Sequence, residues 1–150
     1  MLRQYFLEKI QAEFRVHSVC AILGPRQVGK TTLARLFVDQ YCQNNEHDVR
    51  FFDLENPGDL ALLENAFLVL SELKQNIIVI DEIQRCPELF QILRVLVDRP
   101  GNTQKYLILG SASRELIHQS SETLAGRIGY IELPPFSLAE TKDHDGLWLR

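Results

Sequence analysis

Apolar residues recur along this chain with two spacings, and each spacing predicts a kind of element. Leu2, Phe6, Leu7, Ile10 and Phe14 fall at helical intervals with Arg3, Glu8, Lys9 and Glu13 between them, which predicts an amphipathic helix over 2–14 with a packing role. Residues 17–23 form a short apolar run that reads as a strand. Leu33, Leu36, Phe37 and Tyr41 mark one face of a helix from near Lys30 to about Cys42, where the polar stretch QNNEHD breaks the pattern. A second strand over 49–54 is rich in aromatic and branched residues and stops at Asn56-Pro57-Gly58. The apolar residues of 59–75 lack a clean period, which predicts one or two helices with a break near Asn65.

Residues 76–81 are a near-continuous branched run, the pattern of a strand buried on both faces of a parallel sheet. Pro87 suits the first turn of a helix whose wide apolar face, Leu89, Phe90, Ile92, Leu93, Leu96 and Val97, lasts until Arg99-Pro100-Gly101. A fourth strand over 106–109 ends in Gly110-Ser111, a short helix is expected around 114–118, and a fifth strand over 128–133 is stopped by Pro134-Pro135. Strands alternate with helices throughout. The fold class expected is therefore α/β, with right-handed βαβ units, a parallel sheet covered on both faces, and ligands at the carboxyl ends of the strands.

Composition leaves that picture intact. With 150 residues, 45% apolar and 24% charged, the chain is long enough for one ordinary domain with a real core. A formal net charge of −4 argues against broad electrostatic binding of nucleic acid or an anionic membrane by this segment, since both rely on concentrated Lys and Arg; a local basic patch stays open. Cys20, Cys42 and Cys86 lie too far apart for a CxxC metal motif and are odd in number, so reduced thiols and a cytoplasmic location are expected. No stretch approaches the roughly 18 to 20 apolar residues needed to span a bilayer.

Chemistry enters at Gly24-Pro25-Arg26-Gln27-Val28-Gly29-Lys30-Thr31-Thr32, which fits GxxxxGK[ST] between a strand and a helix and reads as a phosphate-binding loop. Gly24 and Gly29 let consecutive N–H groups turn around a polyphosphate, and the helix beginning near Lys30 aims its positive end at the same place. Lys30 would reach the β- and γ-phosphates and Thr31 would offer its hydroxyl to Mg²⁺, while Arg26 is expected to act through its backbone with a solvated side chain. Asp81 and Glu82 end the buried third strand. Asp81 is the candidate to hold Mg²⁺, directly or through water, and Glu82 the candidate to orient and deprotonate a water attacking the γ-phosphate; the bland alternative is that both merely end a strand. Ser111 and Ser113 lie beyond the fourth strand, where a polar side chain could touch the γ-phosphate or the water, although Ser113 is also well placed to cap the helix starting at Arg114. Charge on the transferred phosphoryl group calls for a further cation from the same or a neighbouring subunit; Arg127 is the leading candidate, with a salt bridge as its alternative role. His17, His47, His118 and His144 lack metal-ligand spacing and no Ser or Cys sits in a recognisable elbow, so metal hydrolase and acyl-transfer chemistry gain little support.

Four segments in register, GPRQVGKTTLAR, IIVIDEIQRCPELFQILRVLVD, LILGSAS and LAGRIGYIELPPFSLAE, closely resemble a widespread prokaryotic family of AAA-domain ATP-binding proteins, from about Val16 to Glu140. The resemblance implies a three-layer P-loop NTPase fold of the additional-strand, catalytic-glutamate class, with a five-stranded parallel sheet of order 5-1-4-3-2 and a glutamate base. It places Lys30, Thr31, Asp81, Glu82 and Ser111 on the Walker A, Walker B and first sensor positions, and Arg127 where AAA-type enzymes often carry an arginine finger. The organisation it suggests is a packed N-terminal helix over 1–15, an ATPase core over 16–136 and, at 137–150, the start of a C-terminal helix opened by the capping-box spacing Ser137-Leu138-Ala139-Glu140. Family members usually continue into a further C-terminal domain, and the departure here is that the sequence stops at Arg150.

Residues and resemblance together predict an Mg²⁺-dependent ATPase whose ligands are ATP and Mg²⁺ and whose partner is a homo-oligomer or another protein lending an arginine. A nucleotide-binding switch or interaction module with negligible hydrolysis is the alternative, expected if the further domain is required for turnover. A small-molecule phosphotransferase would normally bring an arginine-rich lid and an acceptor pocket, and neither is visible in the sequence. The choice of ATP over GTP rests on the resemblance alone.

Overall fold

Branched and aromatic runs form the strands and amphipathic runs the helices of a computed structural model, which describes residues 2–26, 28–41 and 48–134. In chain order the first half contains α1 (Leu2–Val16), β1 (Val19–Leu23), α2 (Lys30–Tyr41), β2 (Val49–Asp53), α3 (Pro57–Leu62) and α4 (Ala66–Ser71). The second half contains β3 (Ile77–Asp81), α5 (Leu89–Val97), β4 (Lys105–Gly110), α6 (Arg114–Thr123) and β5 (Ile128–Glu132). All strand pairings are parallel, in the order β2-β3-β4-β1-β5, which is the expected order 5-1-4-3-2 read from the opposite edge. β1 and β3 are buried at every position, as their unbroken apolar runs require of strands in the middle of a covered sheet.

Alternate side chains of the central strands feed two separate cores, because successive residues of a strand point to opposite faces. Val19, Ala21 and Leu23 of β1, Ile78 and Ile80 of β3 and Tyr106 and Ile108 of β4 pack with Leu63, Ala66 and Leu70, with Leu89, Phe90, Leu93 and Leu96 of α5, and with Leu116 of α6. Cys20, Ile22, Ile77, Val79, Leu107 and Leu109 pack on the other face with Phe6, Leu7, Ile10 and Phe14 of α1 and with Leu33, Ala34 and Phe37 of α2. The result is three layers, helix on sheet on helix. Among the described residues no helix is long and apolar enough to cross a membrane.

Local departures from the pattern have local causes. The irregular stretch 59–75 resolves into α3 and α4 separated by a 3₁₀ turn over Leu63–Asn65, so the break falls at the expected residue. Asn56 opens α3 by accepting from the N–H groups of Gly58 and Asp59, and Pro57 occupies its first turn. Pro87, by contrast, lies in a turn ahead of α5 and not in its first turn, because a 3₁₀ turn over Ile83–Arg85 follows β3 directly. α6 runs five residues past the expected end at His118: Ser120 is buried and bonds the Tyr130 hydroxyl of β5 at 2.7 Å, and Leu124 is buried just beyond the helix, so tertiary contacts hold a polar stretch helical. Gln27, the polar stretch with Cys42 and His47, and the 135–150 segment with His144 and the capping box Ser137 to Glu140 lie outside the described residues.

Candidate active site

At the carboxyl edge of the sheet, β1 runs into the loop that precedes α2. Gly24 is fixed there by crowding: a Cβ would stand 2.9 Å from the Leu133 carbonyl oxygen and 3.2 Å from Val28 Cγ2. Gly29 adopts φ 92°, a left-handed conformation open to glycine, and it turns the chain into the first residue of α2. Lys30 folds back over the loop and donates from Nζ to the carbonyls of Gly24 at 2.7 Å and Pro25 at 2.8 Å. Burial pushes its pKa below the ordinary lysine value, against the opposing pull of Glu82 and Asp81, so the ammonium is a desolvated cation with two carboxylates facing it. Pro25 and Thr32 are exposed on the loop and the first turn of α2, and Val28 is buried beneath them. The Arg26 side chain is 82% exposed and reaches Glu55 at 3.5 Å, as expected of a loop residue acting through its backbone.

Thr31 and Asp81 are brought together from positions 50 apart, with Thr31 Oγ1 donating to Asp81 Oδ2 at 2.7 Å. Asp81 is buried at the end of β3, and its Oδ1 has no hydrogen-bond partner. Burial raises its pKa, and the Thr31 hydrogen bond works the other way. A hydroxyl beside a carboxylate with one free buried oxygen is a hard-oxygen donor set that fits Mg²⁺, which characteristically takes one or two protein carboxylates and completes its shell with water and phosphate. Among the described residues no three His, Cys, Asp or Glu groups come together as a self-sufficient metal site.

Glu82 follows Asp81 in a left-handed conformation, φ 61° and ψ 47°, and it is the one non-glycine residue with positive φ among those described. That conformation costs a residue other than glycine about 1–3 kcal/mol, and such strain concentrates at functional sites. Its carboxylate accepts from Gln84 Nε2 at 2.9 Å, and Gln84 Oε1 in turn accepts the backbone N–H of Ser111 at 3.3 Å. Ser111 thus sits at the tip of β4 beside Glu82, whereas Ser113 caps α6, accepting the Leu116 N–H at 3.1 Å. Sequence reasoning missed Gln84, whose carboxamide carries neither charge nor motif spacing. Beside the loop lies a cavity of about 330 Å³ lined by Pro25, Ala112, Glu132, Leu133 and Pro134.

Arg127 requires a correction. It immediately precedes β5, and β5 runs parallel to β1 with Val19 opposite Ile128, so Arg127 lies at the amino edge of the sheet. Strands of five residues separate the two edges by about 16 Å. There it makes a two-pronged pair with Asp98, Nε to Oδ1 at 2.9 Å and Nη2 to Oδ2 at 2.7 Å, and donates from Nη1 to the Ala125 carbonyl. It does not reach this chain's own loop, so the cation it would offer could serve only a second protomer.

A family model described as "AAA domain" matches residues 16–142. Uncharacterized proteins from Mycobacterium bovis and Mycobacterium tuberculosis are each 46% identical over 134 residues, which is 88% of this chain and 29% of theirs. The chain therefore spans under a third of the length of these relatives. Among solved structures, Cdc6p from Pyrobaculum aerophilum superposes with a TM-score of 0.64 at 13% identity, over 95% of this chain and 49% of that one. Pif1 helicase from Candida albicans gives 0.59 at 15% identity over 88% and 39%, and the Drosophila ORC bound to DNA gives 0.58 at 17% over 85% and 40%. At these identities the likeness is one of fold.

Proposed function

The chain belongs to the AAA domain family, and from that premise we propose that it binds ATP with Mg²⁺ and hydrolyses it to ADP and phosphate. The observation that carries the reading is the convergence, at one strand edge, of a buried Lys30, the Thr31–Asp81 hydrogen bond at 2.7 Å and the Glu82 carboxylate. In this reading the backbone at Gly24 to Arg26 and at Val28 and Gly29, with the amino end of α2, cradles the phosphates, and Lys30 exchanges its two loop carbonyls for phosphate oxygens. Thr31 and Asp81 would hold Mg²⁺, which supplies charge neutralisation on the phosphates when bound. Glu82 orients a water and takes its proton as the water oxygen bonds the γ-phosphorus and the bond from that phosphorus to the β,γ-bridging oxygen breaks, leaving ADP and inorganic phosphate. Ser111 touches the γ-phosphate or the attacking water from the tip of β4. A second copy of the chain or another protein supplies the missing cation, and in a homo-oligomer Arg127, released from Asp98, is the candidate to do so.

The test is Mg²⁺- and ATP-dependent phosphate release by the purified chain, with Lys30→Ala as the control for contaminating activity. Release well above that control is expected, together with loss of nucleotide binding in Lys30→Ala; nucleotide binding without release would instead mark a switch or interaction module, and transfer of phosphate to a nucleoside or metabolite a phosphotransferase.

A further inference from the structure

Gln84 lies beside the site with no task in the chemistry above, yet its carboxamide is used at both ends. Nε2 donates to Glu82 Oε1 at 2.9 Å and Oε1 accepts the Ser111 N–H at 3.3 Å, so one side chain joins the carboxylate at the end of β3 to the backbone at the tip of β4. Its position leaves little freedom. A Cβ on Gly110 would stand 2.9 Å from Gln84 Oε1 and 2.8 Å from Ile83 Cγ2, so the amide is wedged where only glycine leaves room. The left-handed backbone at Glu82 begins the 3₁₀ turn Ile83–Arg85, in which the Arg85 N–H returns to the Glu82 carbonyl at 3.0 Å, and this turn carries Gln84 back toward the carboxylate. A structural filler would need only volume here; a group that both donates to the carboxylate and accepts from the adjoining strand tip fixes where Glu82 points relative to Ser111.

We propose that Gln84 is a positioning residue for hydrolysis: it holds the Glu82 carboxylate and couples its orientation to the tip of β4, so that displacement of Ser111 by the γ-phosphate is transmitted to Glu82 through one side chain. The inference rests on the proposed ATPase reading, with Glu82 as base. Two substitutions separate its parts. Gln84→Glu keeps the volume and the acceptor for Ser111 but replaces the donor toward Glu82 with a second carboxylate, whereas Gln84→Leu removes both hydrogen bonds at similar size. Because misplacing a catalytic group by about 1 Å costs on the order of 100-fold, each variant is expected to lose about 10- to 100-fold in kcat. KM and the affinity for a non-hydrolysable ATP analogue should stay within about twofold, since neither variant touches the loop or Lys30.

The experiment measures kcat, KM and analogue affinity for wild type, both Gln84 variants, Glu82→Gln and the double variant Glu82→Gln/Gln84→Leu. The expected result is a kcat loss confined to turnover in both single variants and no further loss when Gln84→Leu is added to Glu82→Gln. Near-wild-type kcat in Gln84→Glu, or parallel losses of kcat and analogue affinity in both variants, would overturn the role of Gln84 while leaving Glu82 as base. Unchanged turnover in Glu82→Gln, or none in wild type above the Lys30→Ala control, would overturn the ATPase reading and this inference with it.

Discussion

A methyl group on Gly110 would meet Ile83 Cγ2 at 2.8 Å and Gln84 Oε1 at 2.9 Å, both inside normal contact, in a strand whose neighbours are already packed. Gly110→Ala should therefore destabilise the domain by about 1–3 kcal/mol, the usual cost of overpacking, measured as a lowered denaturant midpoint with an unchanged slope. A midpoint equal to wild type would show that the Glu82–Gln84 turn yields freely, contrary to the close fit described. The residues of the site divide in their legibility by what made them visible. Lys30 and Thr31 stand out because they complete the GxxxxGK[ST] spacing, and Asp81 and Glu82 because two carboxylates end an otherwise apolar run downstream of it. Gln84 does not, since its two partners are a side chain two positions back and a backbone N–H 27 positions ahead, contacts that exist only after β3 and β4 pair. Arg127 is visible as a cation before a strand, but residues ahead of a parallel strand lie at the sheet edge opposite Lys30 and Asp81.

Elements divide in the same way, by whether their cause is local. The central strands were readable from unbroken apolar runs, and the break between α3 and α4 from lost periodicity at Asn65. The second half of α6 was not, because it rests on a tertiary contact, the tie from the buried Ser120 to Tyr130 of β5. Its start is a different matter: Ser113 accepts the Leu116 N–H, an N-cap bond whose removal costs about 1 kcal/mol. Ser113→Ala should lower stability by about that amount and leave ATP turnover per folded molecule unchanged. Ser111→Ala should do the reverse, sparing stability and lowering turnover. Thermal melts and phosphate release on the two variants check the pair together, and a swap of the two phenotypes would contradict the assignment of Ser111 to the site and Ser113 to the cap.

Over the whole molecule, the parallel sheet gathers Lys30, Thr31, Asp81 and Glu82 at its carboxyl edge and leaves Arg127 paired with Asp98 at the amino edge. Hydrogen bonds from Arg127, reinforced by its charge, hold the Asp98 carboxyl below the ordinary carboxylate value. A carboxyl whose pKa is lower folded than unfolded contributes stability that is present above the unfolded value and lost as pH falls through the folded one. Denaturation midpoints of wild type and Asp98→Asn should thus differ at neutral pH and converge only as pH falls through the lowered folded value, and a gap that starts to close well above the ordinary carboxylate range, or never closes in acid, would rule out the pair as its source. The layering was legible because strands alternate with helices, but that alternation is compatible with several strand orders and the order came from the family resemblance alone, while the assembly that would bring an arginine to a neighbour's phosphates leaves no local signature. The central claim, hydrolysis with Glu82 as base, is tested most directly by phosphate release across a range of protein concentrations for wild type and Glu82→Gln, with ATP binding measured on both. Wild-type activity should rise per protomer with concentration, and Glu82→Gln should bind ATP as wild type does but turn it over at least 100-fold more slowly, in line with the roughly 10²–10⁴-fold contribution of a general base. Equal turnover in the two proteins would contradict that claim.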